Sequence, residues 1–371
     1  MRKYTQPAYN LEMSTVTIIG AGPAGATAAI LLARRGWDVT LIEQHKFPRD
    51  KVCGECLSAL GIEVLERHGL AGVLRKLGPV ELTNTTLVAP DGTEATVALP
   101  QAMWGLSRLA MDQALVQEAT RAGVAMMQPA RVESLDPVSL ECVVRDLITN
   151  ELHTLRSDYV LVADGKAAMG VAKPGRTSDL GVKAHFAGVE DHPDRITLFG
   201  VRGHYVGLAP IEDARWNVAM SVPASRVAEC RGDFDAFLDR LRGENAGLNQ
   251  RFANARRVSD WLAAPLPRFA VANDWPARII PIGNAAAALE PIGGEGMGLA
   301  ICSAELAAIE LSAGKDAARL RGAFKKLWRL RRSSCRFAAM AMSHPAIAGM
   351  AVRTVSANSA LGRASLKLVG K

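Results

Sequence analysis

Three rhythms of hydrophobic and polar positions follow one another along the chain. The first is a set of short, continuous apolar runs. "VTII" at 16–19 is β-branched and reads as a strand buried on both faces. A helical stretch, "ATAAILLARR", follows and stops at Gly36; "WDVTLIE" is then a second strand ending on Glu43. Runs of the same kind return in "DYVLVADG" at 158–165 and in "ARIIPIGNAAAALEPIGGEGMG" at 277–298, which leads into an Ala-rich helix. Between these two lies the second rhythm. In "VKAHFAG", Val182, Ala184 and Phe186 share one face and Lys183 and His185 the other. "RWNVAMSV" alternates Trp216, Val218, Met220 and Val222 against Asn217 and Ser221, and "HYVGLAP" lies between the two stretches. Such period-two alternation predicts antiparallel strands with one face half-exposed. The third rhythm is helical: "DAARLRGAFKKLWRLRR" sets Leu320, Phe324, Leu327, Trp328 and Leu330 at roughly helical spacing among cations, as in an amphipathic helix.

The first turn carries the first chemistry. "GAGPAG" at 20–25 stands between a strand and a helix. Gly20 permits the tight turn, Gly22 lets a pyrophosphate approach the backbone beside Pro23 and Ala24, and Gly25 lets helix and strand pack closely. The helix start offers free N–H groups and a positive dipole end to phosphates. Glu43, with Gln44 after it, ends the next strand 18 residues beyond Gly25 and suits the adenosine ribose hydroxyls. The expected fold class is therefore α/β: a Rossmann-type dinucleotide-binding domain with an inserted antiparallel-sheet substrate domain and a helical C-terminal extension. The expected segments are 14–80, 103–178 and 268–312 for the first, 81–102 and 179–267 for the second, and 313–371 for a basic C-terminal region.

Composition narrows the class. Of 371 residues, 49% are hydrophobic and 22% charged, a soluble globular balance, and no apolar run is long enough to span a bilayer. The opening "MRKYTQPAYNLEM" reads as a frayed leader without signal-peptide features. Six cysteines in so long a chain read as reduced thiols, which points to a cytoplasmic protein. The net charge of +7 is uneven: from Lys315 on there are 13 Lys/Arg and one acid, so the rest of the chain is net acidic. That basic end is a solvated helical face or a peripheral contact with an anionic membrane. No nucleic-acid motif accompanies it.

The strand-end Asp164-Gly165 and the Gly283-Asn284 run with its glycine-rich sequel resemble the flavoprotein family that includes para-hydroxybenzoate hydroxylase and geranylgeranyl reductases. The resemblance covers roughly residues 14–310 and implies FAD. By that resemblance Asp164 and Gly165 lie near the pyrophosphate, and Gly283 and Asn284 hold the ribityl chain. Pro291, Gly294, Glu295, Gly296, Met297 and Gly298 then bring bare backbone against the flavin ring. The family usually has Asp where Asn284 stands, and Ser and Arg where this chain reads "KAAMG" after Gly165. Lys51, Cys53 and Gly54 in "FPRDKVCGECLS" resemble the reductase branch, where this segment passes near the flavin. Arg108, opening a helix, carries over as an FAD contact, with Asp112 supporting that helix locally, and Val132 lies by the adenine as strand backbone. Cys53 and Cys56 form a C-x-x-C pair, read as packing beside the flavin or as a dithiol; one pair is no zinc site, and no metal is expected.

The resemblance implies an FAD-dependent oxidoreductase, with NADPH or NADH as transient electron donor because no second GxGxxG follows a strand. The favoured expectation is a monooxygenase acting through a flavin C4a-hydroperoxide on an aromatic, phenolic or polyketide-derived substrate. The alternative is reduction of isoprenoid double bonds. A partner reductase suits either. Halogenation would need a Trp-x-Trp-x-Ile-Pro stretch that "HYVGLAPIE" lacks, and a flavoprotein scaffold without chemistry is the non-enzymatic reading. Cys53, His204 and Tyr205 are the catalytic candidates, His204 and Tyr205 because they open one of the alternating strands and could hydrogen-bond a phenol or polar head; Glu295 is expected to hold its turn.

Overall fold

The computed structural model describes residues 13–165, 179–267, 269, 271–272, 274–314 and 317–357. Residues 1–12 of the leader, the "KAAMG" stretch and the last 14 residues lie outside the described residues.

The continuous apolar runs form one parallel sheet. Its strands lie in the order Ile279–Pro281, Tyr159–Val162, Thr15–Ile19, Asp38–Ile42, Ala125–Met127. These runs lack alternation because both faces are covered. Val16, Ile18, Val39, Leu41 and Leu161 face helix Pro23–Ala33 and its neighbours. Ile19, Ile42, Val160 and Val162 face an antiparallel meander of Ala130–Leu135, Glu141–Asp146 and Leu152–Arg156. Helix Pro23–Ala33 is buried from Pro23 through Leu32, which explains its all-round apolar sequence. Helices Arg108–Arg121 and Gly296–Ser312 pack against it.

A second sheet has nine strands in the order Arg256–Arg257, Leu180–Ala187, Arg215–Val222, His204–Ile211, Arg195–Val201, Val80–Val88, Glu94–Gly105, Cys56–Leu57, and Leu262–Pro265 also pairs with Leu180–Ala187. Its pairs are antiparallel except Arg195–Val201 with Val80–Val88. The alternation sends Val182, Ala184, Phe186, Trp216, Val218 and Met220 into a core closed by helix Phe234–Glu244. The opposite face corrects the expectation of half-exposed strands: it too is covered, and Lys183 and His185 are 1% and 3% exposed. The sequence pattern marked the polar face but not its cover, which is chain segment 50–56.

Helix Ala317–Met342 runs from one sheet to the other. Leu320, Phe324 and Trp328 join the nucleotide-domain core, while Cys335, Ala339 and Met342 pack with Leu198, Tyr205 and Ile292. Its apolar stripe is thus consumed largely by the protein itself. No described helix is long and apolar enough to cross a membrane.

Candidate cofactor and substrate site

At the end of strand Thr15–Ile19 the backbone leaves no room for side chains. Gly20 has φ +98, and a Cβ there would lie 2.5 Å from the Ala163 carbonyl oxygen. A Cβ on Gly25 would lie 1.8 Å from the Gly20 carbonyl oxygen. The helix that follows has Gly22 at its N-cap, no capping side chain and no acid in its first turn, so its first N–H groups are available to an anion.

Glu43 closes this turn. Its carboxylate accepts from the Ala21 N–H at 3.1 Å and from the His45 N–H at 3.0 Å. Burial opposes its ionisation, but Arg49 and these donors hold the carboxyl below its usual range. Arg49 donates to Glu43 at 3.0 Å and to Asp112 at 2.8 Å, and Asp112 also accepts from Arg108 at 2.7 Å. Asp112 is fully buried, so its role exceeds local helix support: it joins two cations at the cofactor wall. Arg49 escaped the sequence reading because "FPRDK" marks it only as one cation among several. Asp112→Ala would leave both guanidinium groups without this partner and is expected to cost about 3–5 kcal/mol. Urea denaturation against wild type checks this, with an unchanged midpoint contradicting it.

The turn opens into a cavity of about 740 Å³ between the two sheets. Of the residues singled out by sequence, Gly20, Gly22, Pro23, Ala24, Glu43, Gln44, Lys51, Cys53, Gly54, Arg108, Val132, Asp164, Gly165, Gly283, Asn284, Pro291, Gly294, Gly296, Met297 and Tyr205 line it. Gly25, Glu295 and Gly298 stand behind its wall. Gly298 is bare for a packing reason: a Cβ there would meet Ser58 Oγ at 2.0 Å and the Gly61 N at 3.0 Å, where two helices cross. The cavity suits a long dianionic dinucleotide. Arg49, Lys51 and Arg108 line it near the glycine turn, and Arg131 also lines it. Burial and the neighbouring Arg49 lower the proton affinity of Lys51, a penalty that a pyrophosphate would relieve.

The segment after Glu43 is pinned from beneath. Glu55, fully buried and in the left-handed region at φ 58, accepts from Lys183 Nζ at 2.5 Å and the Arg108 N–H at 2.8 Å, and pairs with His185 Nε2 at 2.6 Å. Lys183 also donates to Asp50 at 2.7 Å, and Asn217 donates to the Cys53 carbonyl at 3.0 Å. Asp50, Glu55 and His185 bring ligand-type atoms together, but the Lys183 ammonium already supplies a cation among them. Lys183 and His185 therefore brace the floor beneath Lys51–Gly54. Cys53 and Cys56 are both free thiols. Burial pushes the Cys56 thiol far up, which suits packing better than a dithiol shuttle.

The far end of the cavity is apolar, walled by Ile196, Leu198, Leu289 and Ile292, with Tyr205 and Glu290 among them. His204 is a correction. It points to the opposite face of its strand, stacks on Phe237 at 5.8 Å and interacts through Nδ1 with the Arg202 carbonyl at 3.2 Å. Burial lowers its pKa to about 4, so it is neutral and structural. Adjacent residues of a strand face opposite ways, and only Tyr205 reaches the cavity. Glu295, buried at the start of helix Gly296–Ser312, has its pKa raised to about 7 by burial, with Arg331 3.8 Å away in opposition.

The family model described as "FAD binding domain" matches residues 13–230. The chain is 26% identical over 335 residues to digeranylgeranylglycerophospholipid reductase 1 of Methanothermobacter thermautotrophicus, covering 85% of this chain and 82% of that protein. It is 30% identical over 184 residues to kynurenine 3-monooxygenase of Xanthomonas oryzae, covering 46% and 40%. Over 329 residues it is 23% identical to conditioned medium factor receptor 1 of Dictyostelium discoideum, spanning 80% of this chain but only 62% of that protein. Among solved structures, the flavin-dependent brominase Bmp2 superposes with a TM-score of 0.77 at 22% identity, covering 96% of this chain and 92% of that one. That likeness establishes the fold alone.

Proposed function

Because the chain belongs to the FAD binding domain family, we propose that this FAD-dependent oxidoreductase is a monooxygenase that hydroxylates a phenolic or polyketide-derived aromatic substrate with a lipophilic body. The observation that carries the reading is the apolar far end of the cavity, where Ile196, Leu198, Leu289 and Ile292 surround one hydroxyl–carboxyl pair. Such a wall accepts a greasy ring and offers it a single polar anchor. The partial likeness to a kynurenine 3-monooxygenase agrees with oxygen insertion.

Bound FAD supplies the electron transfer and oxygen activation. The chain's own residues hold, orient and shield. The Gly20–Gly25 turn and the first N–H groups of helix Pro23–Ala33 receive the pyrophosphate, Glu43 faces the ribose, and Lys51 and Arg108 balance charge. Asn284 offers an amide to the ribityl hydroxyls. The backbone of Pro291–Gly294 and the start of helix Gly296–Ser312 meet the ring with little side-chain bulk. The second sheet and helix Ala317–Met342 close the far end and exclude water. The electron donor is NADPH or NADH visiting transiently, or a partner reductase.

Reduction of isoprenoid double bonds is the second reading, supported by the likeness to an archaeal lipid reductase along 85% of the chain. For halogenation, strand His204–Ile211 lacks the tryptophan pair. Exposed Phe337 and Met340 beside Arg336 support peripheral contact of helix Ala317–Met342 with an anionic membrane. Six free thiols suit a cytoplasmic setting.

Anaerobic mixing of the FAD-loaded protein with NADPH or NADH, with and without an alkylresorcinol, tests the hydroxylase. Phenol-stimulated bleaching of the flavin, then a hydroxylated product on admitting air, is expected. Bleaching by dithionite but by neither nucleotide, with or without phenol, overturns a self-sufficient hydroxylase and favours the reductase or a partner-fed enzyme.

A further inference from the structure

Behind the glycine-rich wall of the cavity a carboxyl is buried with little to hold its charge. Glu295 is 4% exposed and stands between Gly294 and Gly296, both of which line the cavity. It precedes helix Gly296–Ser312, but its side chain caps none of the helix N–H groups. Its Oε2 accepts no hydrogen bond among the described residues. Arg331 of helix Ala317–Met342 stands 3.8 Å away at Nε, too far for a hydrogen bond, and donates at 3.0 Å to the Leu327 carbonyl instead. A carboxylate left in this state carries a desolvation penalty that nothing relieves. The cofactor wall uses the backbone on either side of Glu295 and makes no use of the carboxyl.

We propose that Glu295 is a redox-linked proton acceptor: when bound flavin takes up an electron pair, Glu295 takes up a proton that balances the new negative charge of the ring. A reduced nicotinamide or a partner reductase gives the two electrons. One proton goes to the ring nitrogen N5, which leaves the ring with one negative charge. A second proton, from solvent water, forms an O–H bond on Glu295. An ionised carboxylate behind the wall would repel the reduced ring and oppose reduction, whereas a neutral carboxyl does not. Glu295 tunes the flavin and is not a catalytic residue, because it acts through the wall and touches no reacting atom. This role requires bound FAD and is independent of what the reduced flavin then does.

The neighbours of the carboxyl decide where it titrates. Burial raises its pKa to about 7, and Arg331 and the Ser58 hydroxyl oppose this more weakly. Cys335, one turn beyond Arg331, faces both Glu295 and Glu290; burial pushes its thiol up to about 12, so it stays neutral. Burial likewise keeps Cys56, packed against Gly294, and Cys302, near Arg331, above the usual thiol range. Glu290 also has its pKa raised to about 7 by burial, with Asp179 adding to this and Arg336 opposing it. It differs in lining the cavity and in accepting a hydrogen bond from the Tyr205 hydroxyl at 3.3 Å. Glu295 has no such donor, so the charge of a reduced ring falls on it unrelieved. With oxidised flavin Glu295 is ionised above pH about 7; an anionic ring raises that value, and between the two values reduction draws in the extra proton.

FAD-loaded protein is equilibrated with redox dyes of known potential from about pH 6 to about pH 9, and the slope of potential against pH gives the protons taken up per electron pair. Between about pH 7 and about pH 8 wild type is expected to take up two, and Glu295→Gln one. The two potentials coincide at the acid end and part as pH rises, wild type falling lower by about 30 mV for each tenfold gain in proton affinity on reduction. Infrared difference spectra at about pH 8 should show a protonated-carboxyl band that appears on reduction of wild type and is missing in Glu295→Gln. Arg331→Gln removes the opposing cation and should move the two-proton range to higher pH, which keeps the test alive should Glu295→Gln lose its flavin. One proton per electron pair in wild type overturns the proposal, as does a two-proton range unmoved in Arg331→Gln. A second proton that survives in Glu295→Gln overturns it too, by placing that proton on the ring or, where the infrared band is lost instead in Glu290→Gln, on Glu290. A protein that holds no flavin overturns the cofactor assignment and this role together.

Discussion

Glu55→Ala is expected to lower the stability of the protein by about 3–5 kcal/mol at neutral pH, because it strips a buried ammonium and a buried imidazole of their shared carboxylate. The carboxylate also holds the Arg108 N–H, and the Glu55 carbonyl accepts from the Leu106 N–H at 3.0 Å, so the residue ties the 50–56 segment to two neighbouring elements. Alanine retains the Cβ at the same left-handed φ, so the variant reads the loss of the carboxylate and not a change of backbone strain. The pH dependence has a definite sign. Burial opposes ionisation of Glu55, but His185 and Lys183 hold its folded pKa below the ordinary glutamate range. Its contribution is therefore complete above the unfolded value and is lost as pH falls through the folded one. Urea midpoints of wild type and variant should lie far apart at neutral pH and converge in acid. Equal midpoints at neutral pH would mean that the brace beneath Lys51–Gly54 contributes little.

Gly25→Ala should yield protein that retains no flavin and folds poorly. The added Cβ would sit 1.8 Å from the Gly20 carbonyl oxygen and 3.2 Å from the Ala163 Cβ, and the first of these is backbone that cannot rotate away. The cost is at or above the ~1–3 kcal/mol of ordinary overpacking, because helix Pro23–Ala33 must lift from the sheet. Gly22→Ala is the informative partner. Its Cβ would meet only the Arg108 guanidinium, at 3.6 Å, so the fold should stand while the close approach of a pyrophosphate is blocked. Thermal melts and flavin absorbance after reconstitution separate the two: melting point and flavin both lost for Gly25→Ala, flavin alone for Gly22→Ala. A flavin-loaded Gly25→Ala of normal melting point would contradict the described turn.

The parallel sheet was legible in the sequence because its strands are covered on both faces and therefore read as unbroken apolar runs. The glycine turn was legible because its spacing is dictated by steric contact, as the Gly20–Ala163 and Gly25–Gly20 approaches show. The polar face of the second sheet was not. Alternation told which residues share a face, but Lys183 and His185 are covered by Glu55, more than a hundred residues away in sequence, and no local pattern encodes that meeting. Arg49 and Glu290 were missed for a related reason. Each is an ordinary charged residue in a turn until the fold brings Asp112 to one and Tyr205 to the other. His204 was over-read: it and Tyr205 are neighbours in sequence and lie on opposite faces of one strand. Gly298 belongs to a glycine-rich run whose reasons are mixed, some facing the cavity and one clearing a helix crossing.

The measurement that tests the central claim most directly is the visible spectrum of the protein after incubation with FAD and removal of unbound cofactor by gel filtration. A cavity between the two sheets built to hold the dinucleotide predicts flavin bands that co-elute with the chain and shift when a lipophilic phenol such as 2-naphthol is added. A colourless protein fraction, with all the flavin in the small-molecule volume, would contradict the account at its root.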